Sequence, residues 1–297
     1  MHSHIKETKS DKIFTICNYV LLSLFVLSVL YPLIFVISSS FSSAQAVSTG
    51  KVWLLPVDFS LTSYKEVFKH EAIWTGYANS LFYMVVGTII NVALTILAAY
   101  PLTRKDFRGR NIFMFLFVFT MMFNGGLIPM YLLVRDLGLL NTRWSLLLPN
   151  ALAVFNVIVT MSFFKTTIPD ELLESAQIDG CNDFKFLFKI VIPLSAPIMA
   201  VMTLFYAVGH WNQYFNALIF LRDANLFPLQ LVLRDILVQN EIDPSMMGDV
   251  SRMEDRIGLQ QLLKYSTIVV ASLPVLIIYP FVQKHFVKGV MIGSLKG

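Results

Sequence analysis

Long apolar stretches constrain this chain more than any other feature of its sequence. A helix needs about 20 predominantly apolar residues to cross the hydrocarbon core of a bilayer, so stretches of that length predict membrane spans. The predicted spans are residues 14–38, 77–102, 112–134, 144–164, 194–220 and 265–283. Since backbone groups inside lipid must be hydrogen-bonded within the protein, we predict an all-α integral membrane fold with six transmembrane helices.

The composition supports lipid as the main solvent of the chain. Of its 297 residues, 56% are hydrophobic and 14% are charged, against about 25% charged residues in soluble domains. The basic residues lie mostly at the ends of the predicted spans and form no single patch. The net charge of +4 therefore does not indicate a nucleic-acid partner.

Basic residues beside the spans predict the orientation of the chain. Cytoplasmic loops carry an excess of Lys and Arg, and the short segment 103–111 holds four basic residues and one acidic residue. We therefore expect this segment, the polar run 165–192 and both termini to face the cytoplasm. The stretch 14–38 is too long for the core of a signal peptide, which predicts an uncleaved anchor.

The polar run 165–192 predicts two short helices with a sharp break between them. The Thr167 hydroxyl can cap the first helix, and Gly180 ends it because glycine adopts the left-handed cap conformation without strain. Asn182 or Asp183 then caps the second helix. A helix–glycine–helix segment between two spans is suited to the groove of another protein.

The second of these helices has its own apolar pattern. Phe184, Leu187, Phe188 and Val191 follow the spacing of one helical face, and Pro193 is expected to stop or kink the helix where the next span begins. We therefore expect the second helix to pack through this face.

The polar run also resembles the EAA motif, E-A-A-x-x-x-G-x(9)-I-x-L-P, of ABC importer permeases. The positions that carry the resemblance are Glu174, Ser175, Ala176, Gly180, Ile190 and Pro193. The longer run from Ile168 to Gly180 is similar to the carbohydrate-importer version, as in the second permease of maltose-type transporters. Ser175, Cys181 and Ile192 depart from the usual alanine, alanine and leucine with little change in size or charge.

The resemblance implies the type I ABC importer permease fold, with residues 165–192 as a cytoplasmic coupling loop held by an ATPase subunit. The coupling residues it implies are Glu174, Ser175, Ala176, Asp179, Gly180, Phe184 and Phe188. In this interpretation Ala176, Asp179 and Gly180 lie in the ATPase groove and Glu174 pairs with basic residues there. Phe184 and Phe188 would pack the coupling loop onto its own subunit.

The same resemblance implies a multi-subunit assembly in a bacterial cell membrane. Its partners would be a second related permease, an ABC ATPase dimer, an extracellular or periplasmic solute-binding protein and a carbohydrate substrate. ATP and Mg²⁺ would bind to the ATPase, so we expect no cofactor on this chain. The C-terminal segment resembles the tail of maltose-type second permeases, which reaches the interface between the ATPase subunits; a frayed terminus is the alternative.

The predicted span 112–134 is interrupted by Asn124-Gly125-Gly126 and Pro129, which a straight helix does not accommodate. A broken helix is tolerated in a membrane only where the freed backbone groups meet protein or water. We therefore expect that the break borders a cavity, or that it is a kink packed against neighbouring helices. Residues 123–129 and 137–142 resemble permeases associated with polysaccharide-derived oligosaccharides.

Polar and aromatic residues near the outer part of the fifth span are candidates for a sugar pathway. Amides can bond sugar hydroxyls, and aromatic rings can pack on sugar C–H faces. The candidates are Trp211, Asn212, Gln213, Tyr214, Asn216 and, from the third span, Asn124, with Asn150 and Asn156 as lesser ones. The alternative is that these groups bond neighbouring helices.

The sequence offers no constellation for catalysis, metal binding or nucleotide binding. Spans two to six have no charged residue near their midpoints, which argues against proton coupling through intramembrane carboxylates, and no phosphate-binding loop is present. The rival functions are a gradient-driven secondary sugar transporter and, less favoured, a scaffold or membrane enzyme. Cys17 and Cys181 are expected to be free thiols.

Three domains are expected from this organisation. Residues 1–76 form a membrane anchor helix and an external segment, residues 77–284 form the permease core with the coupling loop 165–192, and residues 285–297 form a cytoplasmic tail. The external segment 221–263 is acidic and either contacts a solute-binding protein or is a solvated loop.

Overall fold

The computed structural model describes residues 8–239 and 262–277, and every regular element in these ranges is a helix, as predicted. The predicted tail 285–297 lies outside the described residues, as do residues 240–261 of the acidic segment. The described residues fall into two compact units, one of residues 8–70, 237–239 and 262–272 and the other of residues 71–236 and 273–277.

The first unit begins with a long apolar helix. The Thr8 hydroxyl accepts from the Asp11 amide at its N-terminus, and the Asp11 carboxylate accepts from Thr8 in return, which is a capping box. At its other end the Ser40 hydroxyl lies 2.8 Å from the Tyr64 hydroxyl. The helices are α1 (Lys9–Ser40), α2 (Ala44–Ser48) and α3 (Thr62–Lys69).

The second unit is organised around one long helix. Its elements are α4 (Glu71–Thr103), α5 (Arg110–Met122), α6 (Leu127–Asp136), α7 (Trp144–Leu147), α8 (Val154–Thr167), α9 (Asp170–Ile178), α10 (Asp183–Phe186), a π-helical turn (Leu187–Val191), α11 (Ile192–Leu194), α12 (Ala196–Trp211), α13 (Phe215–Phe220) and a 3₁₀ turn (Ala224–Leu226). The long helix is α4, which contacts α5, α7, α8 and α12. The last two helices of the described residues, α14 (Leu229–Gln239) and α15 (Leu262–Ile277), each have residues in both units.

Helix α4 is the centre of this unit and packs against α8 and α12. Toward its C-terminus, Ala99 and Leu102 lie in an apolar cluster with Val157 and Phe164 of α8. Polar bonds add to this packing, since the Thr95 hydroxyl lies 2.7 Å from the Tyr206 hydroxyl of α12. Small and hydroxyl-bearing residues at such contacts are typical of helices that associate within lipid.

The predicted number of six spans is not confirmed. By length and composition of the described residues, α1 and α4 can each cross a membrane, and the number is four if each of two bent helix pairs counts as one span. Spans 14–38 and 77–102 thus correspond to continuous helices. The last predicted span corresponds to α15, and residues 278–283 lie outside the described part.

Three of the predicted spans contain breaks. The break near Asn124 is confirmed, because α5 and α6 are bent by 116° there. Span 144–164 is not one helix, because α7 and α8 are separated by a segment with Pro149 and Asn150, which disfavour helix continuation. Span 194–220 is also split, between α12 and α13.

Candidate functional site

The coupling loop, residues 165–192, begins with a helix boundary that differs from the prediction. Thr167 is the last residue of α8. Helix α9 begins at Asp170, and its N-cap residue, Pro169, makes no side-chain capping hydrogen bond. The predicted Thr167 cap is therefore wrong. The reason is that a proline disfavours helical geometry in the residue before it, and Ile168 is extended, with φ −116° and ψ 97°.

Helix α9 and the two residues after it expose four of the seven predicted coupling residues. Glu174, Ser175 and Asp179 are exposed, as is Gly180 just after the helix. Ala176 is instead buried in the apolar cluster of its own chain, so its predicted position in a partner's groove is wrong; it belongs to the inner stripe of the helix.

Helix α9 also exposes a large apolar side chain that the predicted coupling residues do not include. Ile178 is 87% exposed. A large apolar residue left in water next to charged neighbours is characteristic of a protein contact when it belongs to a patch. The sequence feature that could have indicated this contact is the position of Ile178, directly before Asp179 and Gly180 and outside the buried apolar stripe of Leu173 and Ala176.

Gly180 ends α9 as predicted. Its φ is +73°, and a side-chain Cβ built on it would meet nothing within 4 Å. The Cys181 amide donates to the Ala176 carbonyl at 2.9 Å, and the Gly180 amide donates to the Gln177 carbonyl at 3.0 Å. The left-handed conformation thus closes the helix with its last carbonyls bonded.

The second helix of the coupling loop packs through a face different from the predicted one. Phe184 and Phe188 are 71% and 60% exposed, whereas Phe186, Leu187 and Val191 are buried. The predicted packing of Phe184 and Phe188 onto their own subunit is therefore wrong. The reason is the π-helical turn that follows Phe186, in which the i→i+5 bonds change the angle between successive side chains.

The start and end of this second helix follow the prediction more closely. Asn182 caps it, since its side-chain oxygen accepts from the Lys185 amide at 2.9 Å. The predicted kink is present as a bend of 83° between the helix ending at Leu194 and α12, with Ser195 at the break. The proline that signals this bend, Pro193, lies within α11.

Two polar contacts attach the coupling loop to the C-terminal end of α4. The Lys105 ammonium lies 2.5 Å from the Asp170 carboxylate of α9, and the Tyr100 hydroxyl donates to the Asp183 carboxylate of α10 at 3.5 Å. The hydrogen bond from Lys105 and its positive charge lower the pKa of Asp170. The same hydrogen bond and the negative charge of Asp170 raise the pKa of Lys105. Both helices of the loop are thereby joined to one short segment.

A second candidate site is a polar cleft of about 310 Å³ between α4, α8 and α12. Its lining brings together side chains that are distant in sequence. The polar residues among them are Asn91, Asn150, Asn156, Tyr206, His210, Gln213 and Asn216. Of the predicted pathway residues, Gln213 and Asn216 lie here, together with the two lesser candidates.

One wall of the polar cleft is held by a buried hydrogen-bond network. With the Asn91 amide oriented for complete bonding, its oxygen accepts from His210 Nε2–H at 3.1 Å. Its nitrogen donates to the Gly87 carbonyl at 2.9 Å and to the Ala151 carbonyl at 3.3 Å. Gly87 permits this arrangement, because a Cβ there would overlap the His210 imidazole.

Gln213 contributes a polar group that the chain does not fully use. It lies beside the His210 imidazole, but its buried amide nitrogen has no hydrogen-bond partner of good geometry within the described ranges. A buried amide that lacks a partner costs free energy unless a ligand or water bonds it.

The other predicted pathway residues do not line the polar cleft. Trp211 is buried beside the Tyr77 ring, with 5.9 Å between ring centroids, and Asn212 donates to the Val208 carbonyl of its own helix at 2.9 Å. Tyr214 is 45% exposed. Asn124 is exposed at the break between α5 and α6, where its side-chain oxygen accepts from the Gly126 amide.

The described residues contain no group of three or more His, Cys, Asp or Glu side chains placed to hold a metal ion. Cys17 and Cys181 are free thiols. The polar cleft offers amides, a hydroxyl and an imidazole for binding, and the exposed side of the coupling loop is available for contact with a partner.

Comparison with known proteins gives a consistent result. The chain matches the family described as "Binding-protein-dependent transport system inner membrane component" over residues 91–292. It is 44% identical to the polygalacturonan/rhamnogalacturonan transport system permease protein YtcP of Bacillus subtilis (strain 168) over 288 residues, which are 97% of this chain and 99% of YtcP. It is 40% identical to Protein LplC of the same organism, over 98% of this chain and 97% of LplC.

A solved structure is also similar along nearly the whole chain. It belongs to a bacterial ABC transporter involved in the import of the acidic polysaccharide alginate. The identity is 40%, the TM-score is 0.84, and the match covers 95% of this chain and 99% of that chain.

Proposed function

The chain belongs to the family of binding-protein-dependent transport system inner membrane components, and from this premise we propose that it moves an oligosaccharide into the cell by alternating access. It is a membrane permease subunit of an ABC importer. We infer that ATP is bound with Mg²⁺ and hydrolysed on separate ATPase subunits, so that this chain has no catalytic role and needs no cofactor of its own.

The observation that carries the proposal is the construction of the coupling loop. It leaves Glu174, Ile178 and Asp179 exposed while Lys105 and Tyr100 join it to α4. A subunit that grips the exposed side and moves would therefore pull on α4, which packs against α8 and α12. Because α4, α8 and α12 line the polar cleft, such motion would change access to it.

The roles of the coupling residues follow from their exposure. We propose that Glu174 pairs with basic residues of the ATPase and that Ser175, Asp179 and Gly180 lie in its groove. Ile178, Phe184 and Phe188, whose side chains face outward, would supply the apolar part of this contact. Ala176 would act from inside, by packing α9 onto the chain's own core.

The proposed assembly contains this chain, a second related permease, an ATPase dimer and an extracellular or periplasmic solute-binding protein. Support comes from the family description, which names binding-protein-dependent transport and the inner membrane. We propose that the chain crosses the bacterial cell membrane several times, with both termini and the coupling loop in the cytoplasm. The contact between Lys105 and Asp170 supports only the part of this proposal that places segment 103–111 and the coupling loop on the same side of the membrane.

The proposed substrate is an oligosaccharide derived from a polysaccharide. YtcP is described for polygalacturonan and rhamnogalacturonan, and the solved relative for alginate. The polar cleft supports this choice, because amides such as Gln213 and Asn216 can bond sugar hydroxyls. Trp211, Asn212, Tyr214 and Asn124 would act elsewhere along the pathway or in packing.

The test is a substitution of the glycine that ends α9. Gly180→Asp should abolish the substrate-stimulated ATP hydrolysis of the reconstituted transporter, because it places a charge and a strained backbone at the partner contact. Space around the residue is open, so the chain should still fold and insert.

Gly138→Asp is the matched control. Gly138 also has a positive φ, +68°, and open space around it, but it follows α6, outside the coupling loop. Equal loss of stimulated hydrolysis in both variants, or normal hydrolysis in Gly180→Asp, would contradict the proposal.

A further inference from the structure

A cavity of about 370 Å³ lies between the coupling loop and the ends of three helices, and we propose that it binds the phosphate headgroup of an anionic lipid. Four cationic side chains line it: Arg104, Lys105, Arg110 and Lys165. We call it the basic cavity. The inference rests on the membrane location of the chain and on the proposed cytoplasmic position of segment 103–111, and it does not depend on the transported substrate.

The position of the basic cavity matches the depth of lipid headgroups. Helix α4 ends at Thr103, α5 begins at Arg110, and α8 ends at Thr167. Ends of membrane helices lie at the polar surface of the bilayer. Basic pockets between membrane helices on the cytoplasmic side bind acidic lipid headgroups, and this is the side on which segment 103–111 is predicted to lie.

The charges around the basic cavity do not cancel. Asp170 and Glu171 also contribute to its lining, so four cations face two carboxylates. Lys105 is paired with Asp170. Arg110 and Lys165 line the same cavity, and in the described part of the chain neither has a carboxylate within ion-pair distance, so their like charges repel each other. An anion between them would remove this repulsion.

Arg104 adds a donor that the protein does not use. Its Nε is buried and makes no hydrogen bond within the described ranges, and its contact with the Asp106 carboxylate is at 3.6 Å. A guanidinium presents its N–H groups in a fixed planar fork that suits phosphate oxygens. Simple extension of cationic side chains toward water accounts for exposed residues such as Arg108. It leaves the buried Arg104 Nε without a hydrogen bond within the described ranges.

The test measures lipid binding to the full-length chain, purified with the subunits that accompany it. Native mass spectrometry would follow titration with phosphatidylglycerol and, separately, with phosphatidylcholine. Wild-type protein should bind phosphatidylglycerol preferentially. The double variant Arg110→Gln, Lys165→Gln should weaken that binding about 25-fold, on the basis of about fivefold for each cation near an anionic lipid.

The matched control removes two cations from outside the basic cavity. Arg108 and Lys189 are exposed and do not line it, so Arg108→Gln, Lys189→Gln should change phosphatidylglycerol affinity by less than about twofold. The charge-conserving variant Arg110→Lys, Lys165→Arg should retain most of the affinity. This variant separates the loss of charge from a loss of folding.

Three results would overturn the proposal. Equal weakening in the two neutralised double variants would show that only general surface charge is involved. Displacement of phosphatidylglycerol by millimolar inorganic phosphate would indicate a soluble anion as the occupant. Crosslinking of an acidic segment of an accompanying subunit to Lys165 would indicate a protein occupant instead of a lipid.

Discussion

At the scale of single residues, small side chains decide whether the polar groups of this chain can meet. Gly87 leaves space for the His210 imidazole, and His210 in turn bonds Asn91. A buried polar network of this kind is stable only while each member keeps its partner. The network is therefore sensitive to one added methyl group.

Gly87→Ala tests this sensitivity. The new Cβ would overlap the imidazole, so His210 must move and its bond to Asn91 is lost. We expect a destabilisation of about 1–3 kcal/mol, typical of an added methyl group in a packed interior. Thermal unfolding of the detergent-purified protein measures it.

Gly209→Ala is the control for this change. Gly209 lies next to His210 on α12, and a Cβ there would meet nothing within 4 Å. Because alanine is the better helix former, this variant should be stabilised by about 0.5–1 kcal/mol. Similar destabilisation of both variants would show that the effect of Gly87→Ala does not come from His210.

The ion pair between Lys105 and Asp170 is the other residue-scale feature with a direct test. Lys105→Glu should lower substrate-stimulated ATP hydrolysis, because it replaces attraction by repulsion at the attachment of α9. Adding Asp170→Lys should restore part of the activity. Lys69→Glu is the control, since Lys69 forms a similar exposed pair with Glu66 at 2.6 Å but is remote in sequence from the coupling loop.

The pH dependence of this pair follows from the direction of its pKa shifts. The pKa of Asp170 is lowered by Lys105, so the contribution of Asp170 to stability is lost only as the pH falls through its folded pKa, below 3.8. The pKa of Lys105 is raised, so its contribution is lost only above 10.5. The effect of Lys105→Glu should therefore be constant between about pH 5 and about pH 9, and a strong change within that range would contradict the assignment.

At the scale of elements, the π-helical turn determines which aromatic side chains of the coupling loop are inside. Phe186 is 1% exposed, whereas Phe188 is largely exposed. Phe186→Ala should destabilise the protein by about 3–5 kcal/mol, as for a buried aromatic residue. Phe188→Ala should leave thermal stability within about 0.5 kcal/mol and lower ATP hydrolysis.

Comparison of these two variants separates packing from partner contact. Both substitutions replace a phenylalanine by alanine, so a difference in unfolding temperature between the two variants reports only the different surroundings of the two side chains. If Phe188→Ala were the more destabilising variant, the inner face of this helix would be the one that the 3.6-residue spacing predicts.

Elements with strong local chemistry were predictable from the sequence. The long apolar helices α1 and α4, the break near Asn124 and the helix end at Gly180 all depend on residues within a few positions. The broken stretch around Pro149 was not recognised, because its neighbours are apolar enough to suggest one continuous span.

The polar cleft and the basic cavity were less predictable for a different reason. Asn91 and His210 are 119 residues apart, and no local pattern indicates that they meet. Gln213 and Asn216 were predicted as pathway residues by their chemistry, whereas the separation of Trp211 from them depends on helix packing. The exposed face of α10 could not be predicted, since π-helical bonding has no simple sequence signal.

At the scale of the whole molecule, the proposed orientation can be measured with the natural thiol of the coupling loop. Cys181 is partly exposed and free. In a Cys17→Ser background, a membrane-impermeant maleimide should label Cys181 in inside-out vesicles from which the ATPase subunits have been stripped, and not in intact cells. A Gly138→Cys variant with Cys181→Ser should show the opposite pattern, because residues near 138 are predicted to be external. Labelling of Cys181 from outside intact cells would contradict the orientation.

The contact between Lys105 and Asp170 also carries a topological consequence. Two side chains that touch must be on the same side of the bilayer, so the polypeptide that leaves one of them has to come back before it reaches the other. The number of complete crossings between these two positions must therefore be even, however the bent helices between them are divided into spans. Any revised topology diagram of the chain has to satisfy this parity rule.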